Sequence, residues 1–116
     1  MSCLRWGAVL ALLGLFVAML GPFQGAERAV GLTDKPAHVV GFFVVTACLT
    51  LIAPRLGLAR TALLAVTLGA GVEVVQGLTG RSANPFDLLA DGVGVAAASL
   101  LRLGLDRAAP GVLYRR

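Results

Sequence analysis

Four apolar runs divide the chain, at residues 6–23, 36–53, 61–78 and 86–103. Each is about 18 residues long, close to the ~20 that cross about 30 Å of hydrocarbon at 1.5 Å per residue. The links between them are short and carry the helix breakers Pro54, Gly57, Gly80 and Pro85. Only 14% of the residues are charged, against about 25% in a typical soluble domain, and the mean hydropathy is +0.88. A chain of 116 residues with that balance has too few charges to cover a water-facing surface. The expected fold is all-α: one domain, a transmembrane bundle of four helices with antiparallel neighbours.

The first run has a second reading, since Arg5 precedes an apolar core as in a signal peptide. That core is long for a signal sequence, and Gly25 and Ala26 make a weak cleavage site. Local punctuation favours four helices. Thr33 and Asp34 stand just ahead of Pro36, a cap followed by an early proline. Asn84-Pro85 opens the fourth run with Asp87 three residues after Asn84, close to a capping box. Gly7, Gly14 and Gly21 recur every seven residues, Gly92, Ala96 and Ser99 form one small-residue face, and Gly94 with Ala98 forms another. Such faces let helix backbones approach closely in membranes, and tight packing explains them without any ligand.

Net charge is +4. The ten basic residues are too scattered to track a phosphate backbone, so no nucleic-acid partner is expected. Their distribution reads instead as topology. With four crossings, Arg5, Arg55, Arg60, Arg102, Arg107, Arg115 and Arg116 share one side, and Arg28, Lys35 and Arg81 the other. Seven against three places both termini in the cytoplasm. Cys3 and Cys48 have neither metal-type nor redox spacing. Cys48 lies in an apolar run and reads as a small buried hydrophobe.

The same threading brings the remaining polar residues to one layer. Asp34, Lys35 and His38 start the second helix on the outer side. Glu73 and Gln76 lie in the last turns of the third. Arg81 is in the outer link, and Asp87 and Asp91 are in the first two turns of the fourth. Asp34 and His38, like Asp87 and Asp91, are four residues apart, and Glu73 and Gln76 are three apart, so each pair shares a helix face. Ionisable groups at membrane depth usually face the bundle interior, find partners and mark function. Plain structural readings exist for most of them. Asp34 and Asp87 can cap their helices, Lys35 and Arg81 can snorkel to headgroups, and His38 can be a satisfied core histidine. Glu73, between Val72 and Val74, has no cap to serve, which leaves pairing with Arg81 or Lys35 as its structural role.

Taken together, Asp34-Lys35-Pro36-Ala37-His38, Glu73-Val74-Val75-Gln76, Arg81, and Asp87 leading to Asp91-Gly92-Val93-Gly94 resemble the signature of the VanZ-like family. These are small multi-pass bacterial membrane proteins named for a teicoplanin-resistance accessory protein. The resemblance covers roughly residues 30–100. It implies a bacterial plasma-membrane setting and a link to the cell envelope, to antibiotic resistance and to glycopeptides, but supplies no reaction. The family usually carries Asn where this chain has Asp91, which adds a carboxyl beside Asp87 and Glu73.

The leading expectation is a non-enzymatic membrane protein with an outward-facing polar pocket that binds a membrane lipid, a lipid-linked envelope precursor or a glycopeptide-related ligand. In it, Lys35 and Arg81 would attract an anionic group. His38, Glu73, Gln76 and Asp87 would supply directed hydrogen bonds, with Asp34 and Asp91 completing the set of ligand-binding residues. This reading needs neither cofactor nor metal. The alternative is a hydrolase or transferase acting on a lipid or glycolipid. His38 would then be the general base, with Glu73 or Asp87 as its orienter and a divalent metal as a further component. Against it, the polar layer contains no Ser or Cys nucleophile beyond Ser82 in a loop. A third reading is a purely structural layer that sets helix register.

Overall fold

A computed structural model describes residues 2–20, 34–78 and 85–111, with the backbone alone at residues 20, 34 and 35. Within them the chain is entirely helical: α1 (Cys3–Leu20), α2 (Asp34–Ile52), α3 (Leu58–Leu78) and α4 (Pro85–Ala108), with a short 3-10 turn at Pro54–Leu56. The helices start and stop for local reasons. Ser2 caps α1, its hydroxyl accepting from Arg5 N at 3.4 Å in the position such residues favour. The 3-10 turn closes with Leu56 N donating to Ala53 O at 3.1 Å. Gly57 then takes φ +89°, a left-handed conformation that costs glycine little, and α3 begins at the next residue.

α3 starts three residues before the apolar run, because the glycine turn ends the connection sooner than hydropathy indicates. α4 runs five residues past Leu103, through Gly104, Leu105, Asp106, Arg107 and Ala108. Pro110 and Gly111 at φ +83° end the segment. The apolar run stopped earlier because charge returns to the sequence before the backbone leaves the helix. The expected end of the first helix, at residues 21–23, lies outside the described residues, as do Thr33 and Asn84 of the expected caps.

Helix α2 is the hub and touches the other three. Its closest partner is α4, with α1 next; α3 packs mainly on α4. Phe42, Val45 and Leu49 of α2 form the core with Ala65 and Val72 of α3 and Val95 of α4, flanked by Leu12, Leu15, Phe16 and Met19 of α1. The approach of α2 to α4 depends on Gly94. A Cβ there would collide with the backbone carbonyl of Val39 and stand 2.9 Å from Phe43 N. Gly92, two residues earlier, has nothing within 4 Å of where its Cβ would be. Of the two small-residue faces, the one with Gly94 and Ala98 carries the close helix pair, while Ala96 of the other is exposed.

Successive helices run antiparallel. At one end Arg102 of α4 reaches the carbonyl of Pro54 and the hydroxyl of Thr61. At the other, Gln76 of α3 donates to the carbonyl of Met19 in α1 at 3.0 Å. Exposure is inverted relative to a water-soluble fold. Leu78 is 82% exposed and Leu63 and Leu100 nearly as much, whereas Asp91 is 0% exposed. Polar side chains in the interior are satisfied locally where they can be. Thr46 and Thr50 donate to the carbonyls one turn back, at 2.8 and 3.0 Å, the usual solution for a hydroxyl on a buried helix face. By length and composition, α3 and α4 can each cross a membrane, and the apolar stretches Cys3–Met19 and Pro36–Ile52 are slightly shorter.

Candidate functional site

The antiparallel order brings the start of α2, the end of α3 and the start of α4 together, and with them a cluster of ionisable groups. His38 is the centre. Its Nδ1 lies 2.6 Å from Asp91 Oδ1 and 4.0 Å from Glu73 Oε1. Its Nε2 lies 3.9 Å from Asp87 Oδ2. Asp87 and Asp91 are one helical turn apart on the same face of α4, so the imidazole faces one carboxylate with each ring nitrogen. Asp87 and Asp91 are buried, whereas the side chains of His38 and Glu73 each keep 12% exposure. The cluster is therefore closed on the α4 side and accessible on the His38–Glu73 side.

The expected convergence of His38, Glu73 and Asp87 is present. Asp91 is part of it and approaches His38 more closely than either Glu73 or Asp87, which the sequence reading had as its orienter. Asp87 is more than a helix cap, because its carboxylate is turned inward to the histidine. Gln76, three residues after Glu73 on α3, is buried and uses its amide to tie α3 to the end of α1. Asp34 and Lys35 are in the first turn of α2, their side chains outside the described atoms, and Arg81 lies outside the described residues. The expected pairing of Glu73 with Lys35 or Arg81 therefore also falls outside them.

Two interior features, one at the site and one at the opposite end of the bundle, were not singled out in the sequence. Gly69, one turn before Glu73, makes room for Asp91. A methyl group on it would sit 3.1 Å from Asp91 Oδ2 and 3.3 Å from Phe42 Cε1. At the far end of the bundle, Arg102 is 4% exposed and donates to Thr61 Oγ1 at 3.1 Å and Pro54 O at 3.0 Å, with Asp106 one turn on at 3.9 Å. Sequence counting took Arg102 only as a topology charge. Its position among Leu100, Leu101 and Leu103 was the available signal for an inward role. The same end carries a cleft of about 490 Å³ lined by Arg5, Arg55 and Arg60 with the 3-10 turn.

Chemically, the cluster offers a histidine locked by a short hydrogen bond to a fully buried carboxylate, with two more carboxylates at about 4 Å. At 2.6 Å the contact falls just short of the ~2.7–2.9 Å of charge-assisted N–H···O bonds, which are roughly twice as strong as neutral ones. Such a group can accept hydrogen bonds from hydroxyls, hold a cation or move a proton. No protein-family profile, curated protein or solved structure matches the chain. The class defined by the described residues is thus an all-helical protein with two helices able to cross a membrane and a buried His–carboxylate cluster at one end.

Proposed function

We propose that the chain is a multi-pass protein of the bacterial plasma membrane, of the VanZ-like type. All four helices cross the bilayer, both termini are cytoplasmic, and the His38 cluster serves as a binding site at the outer end. In this reading the site receives the polar head of an envelope lipid or a lipid-linked, glycopeptide-related ligand. The observation that carries it is the inverted polarity of the bundle. Leucines cover the outside, and the ionisable groups of three separate helices meet around one histidine. Exposed apolar surface on this scale calls for a partner phase, and lipid is the one a helical bundle of this length fits. An inward ionisable cluster costs several kcal/mol of desolvation, which selection tolerates chiefly where the groups have a task. Lys35 and Arg81 draw the anionic part of the ligand, while His38 and Glu73, on the accessible side of the cluster, hydrogen-bond its hydroxyl groups and the buried Asp87 and Asp91 hold His38 in place.

The test is direct. Detergent-solubilised protein is mixed with a polyprenyl pyrophosphate carrying a sugar head, with phosphatidylglycerol and with phosphatidylcholine, and bound lipid is counted by native mass spectrometry. The expected result is one sugar-headed lipid per chain, lost in Glu73→Gln. Equal retention of phosphatidylcholine, or full retention by the variant, overturns the reading.

One observation favours a second reading, that of a hydrolase or transferase on such a lipid. The 2.6 Å contact of His38 with Asp91 is how a general base is held in one orientation by a carboxylate. Release of phosphate or sugar from the same lipid during incubation distinguishes this from binding alone.

A further inference from the structure

His38, Glu73 and Asp91 each present one donor atom to a common point: the three atoms, a ring nitrogen and two carboxylate oxygens, lie within 4.8 Å of one another. Two donors on one divalent ion stand about 3 Å apart, since each bond is about 2.0–2.2 Å. Closing the set around one ion requires Glu73, 4.0 Å from Nδ1, to move inward and the 2.6 Å His38–Asp91 pair to open slightly. The three come from three different helices, so the packing of the bundle brings them together and no single local motif does.

Two further observations point to a cation at that spot. Asp91 is completely buried, yet its Oδ2 has no hydrogen-bond partner among the described residues. A buried carboxylate oxygen of this kind is costly unless something positive reaches it. The second observation is Asp87. It faces the other ring nitrogen of His38, 3.9 Å away. A metal-binding histidine characteristically gives its second N–H to a carboxylate, which fixes the tautomer and aims the free lone pair at the ion. In the tautomer that carries its hydrogen on Nε2, the side facing Asp87, the lone pair of Nδ1 points toward the oxygens of Asp91 and Glu73.

We propose that His38, Glu73 and Asp91 form a binding site for one borderline divalent cation of the Zn²⁺ type, with Asp87 as the positioning residue for His38. An imidazole nitrogen with two carboxylates suits Zn²⁺ better than the all-oxygen cations Mg²⁺ and Ca²⁺. The proposal concerns the same cluster as the ligand reading above but requires neither lipid nor catalysis, so either can fail alone.

The experiment uses the full chain in detergent, stripped with a chelator and titrated with Zn²⁺ by calorimetry, with Co²⁺ as a visible-absorption probe. The expected result is one ion per chain. His38→Asn and Asp91→Asn abolish the binding, and Glu73→Gln weakens it strongly. Asp87→Asn weakens it by about tenfold to a hundredfold, the usual effect of losing a carboxylate behind a ligand histidine. Asp106→Asn, an acidic residue at the other end of the bundle, leaves it unchanged. Because Asp91→Asn is internal and can disturb folding, the melting temperature gives a second readout. Zn²⁺ raises it in the wild type and leaves it unmoved in Glu73→Gln. Absence of stoichiometric Zn²⁺ binding by the wild type overturns the proposal, as does unchanged affinity in Glu73→Gln or displacement of Zn²⁺ by equimolar Mg²⁺.

Discussion

His38 in α2 and Asp91 in α4 meet through a 2.6 Å hydrogen bond between Nδ1 and Oδ1, 53 residues apart in the chain. They lie in the helix pair that packs most closely, held together by Gly94 one turn further along α4. Asp91 Oδ1 therefore depends on His38 for its hydrogen bond, and the pair depends on the backbone approach that a glycine permits.

The first prediction concerns that pair. His38→Ala leaves a fully buried carboxylate without its hydrogen-bond partner, and Asp91→Ala takes from the half-buried imidazole its closest carboxylate. The double variant removes both problems. A double-mutant cycle, read from unfolding in increasing dodecyl sulfate, is expected to give a coupling energy of about 0.5–3 kcal/mol, with the double variant more stable than the sum of the singles. Strict additivity would show that the two side chains do not interact.

Gly94 and Gly92 make a matched comparison on one helix. Gly94→Ala forces a methyl group into the backbone of α2 and is expected to destabilise by about 1–3 kcal/mol or to separate the helices. Gly92→Ala meets open space and adds helix propensity, up to about 1 kcal/mol of stabilisation. Melting curves of the two variants side by side measure this. Equal effects would remove the close α2–α4 approach from the account.

Arg102 is expected to behave as an interior residue although it sits among the topology charges. Its guanidinium bridges Thr61 and Pro54, so Arg102→Met strands the Pro54 carbonyl. The cost is about 1–3 kcal/mol, as for a buried acceptor that loses its donor. Arg102→Lys recovers only part of it, because an ammonium on a flexible stem cannot hold the same two acceptors in a planar fork. Thermal unfolding of the three proteins tests the ordering wild type, then Lys, then Met.

Topology is the fourth. The start of α1, the 3-10 turn and the end of α4 lie at one end of the bundle, with Arg5, Arg55, Arg60 and Arg102. The proposed topology, with the basic bias on the cytoplasmic side, predicts that this end faces the cytoplasm. A reporter active only in the periplasm and fused after Arg116 is expected to be silent, while the same reporter within the link around residue 81 is active. The opposite pattern would move the His38 cluster to the cytoplasmic face.

Much of the architecture was legible from residue order alone. Four apolar runs long enough to approach a bilayer thickness could only be helices, and Pro54 with Gly57 marked the turn where it occurs. Asp87 and Asp91, four apart, had to share a face of α4, and Glu73 in an otherwise apolar stretch had to have a polar neighbour. These follow from local rules: helical period, the conformational freedom of glycine, and the cost of a charge in hydrocarbon.

What local rules could not supply was the rotation of each helix about its own axis. α1 to α3 are apolar almost all round, so no stripe in them marks an inward face. That is why Asp91, not Glu73 or Asp87, stands nearest His38, why Gln76 reaches back to Met19, and why Arg102 turns inward to the Pro54–Leu56 turn. Only packing decided these. Gly94 sets how closely α4 approaches α2, and that single approach fixes which carboxylate each nitrogen of His38 meets.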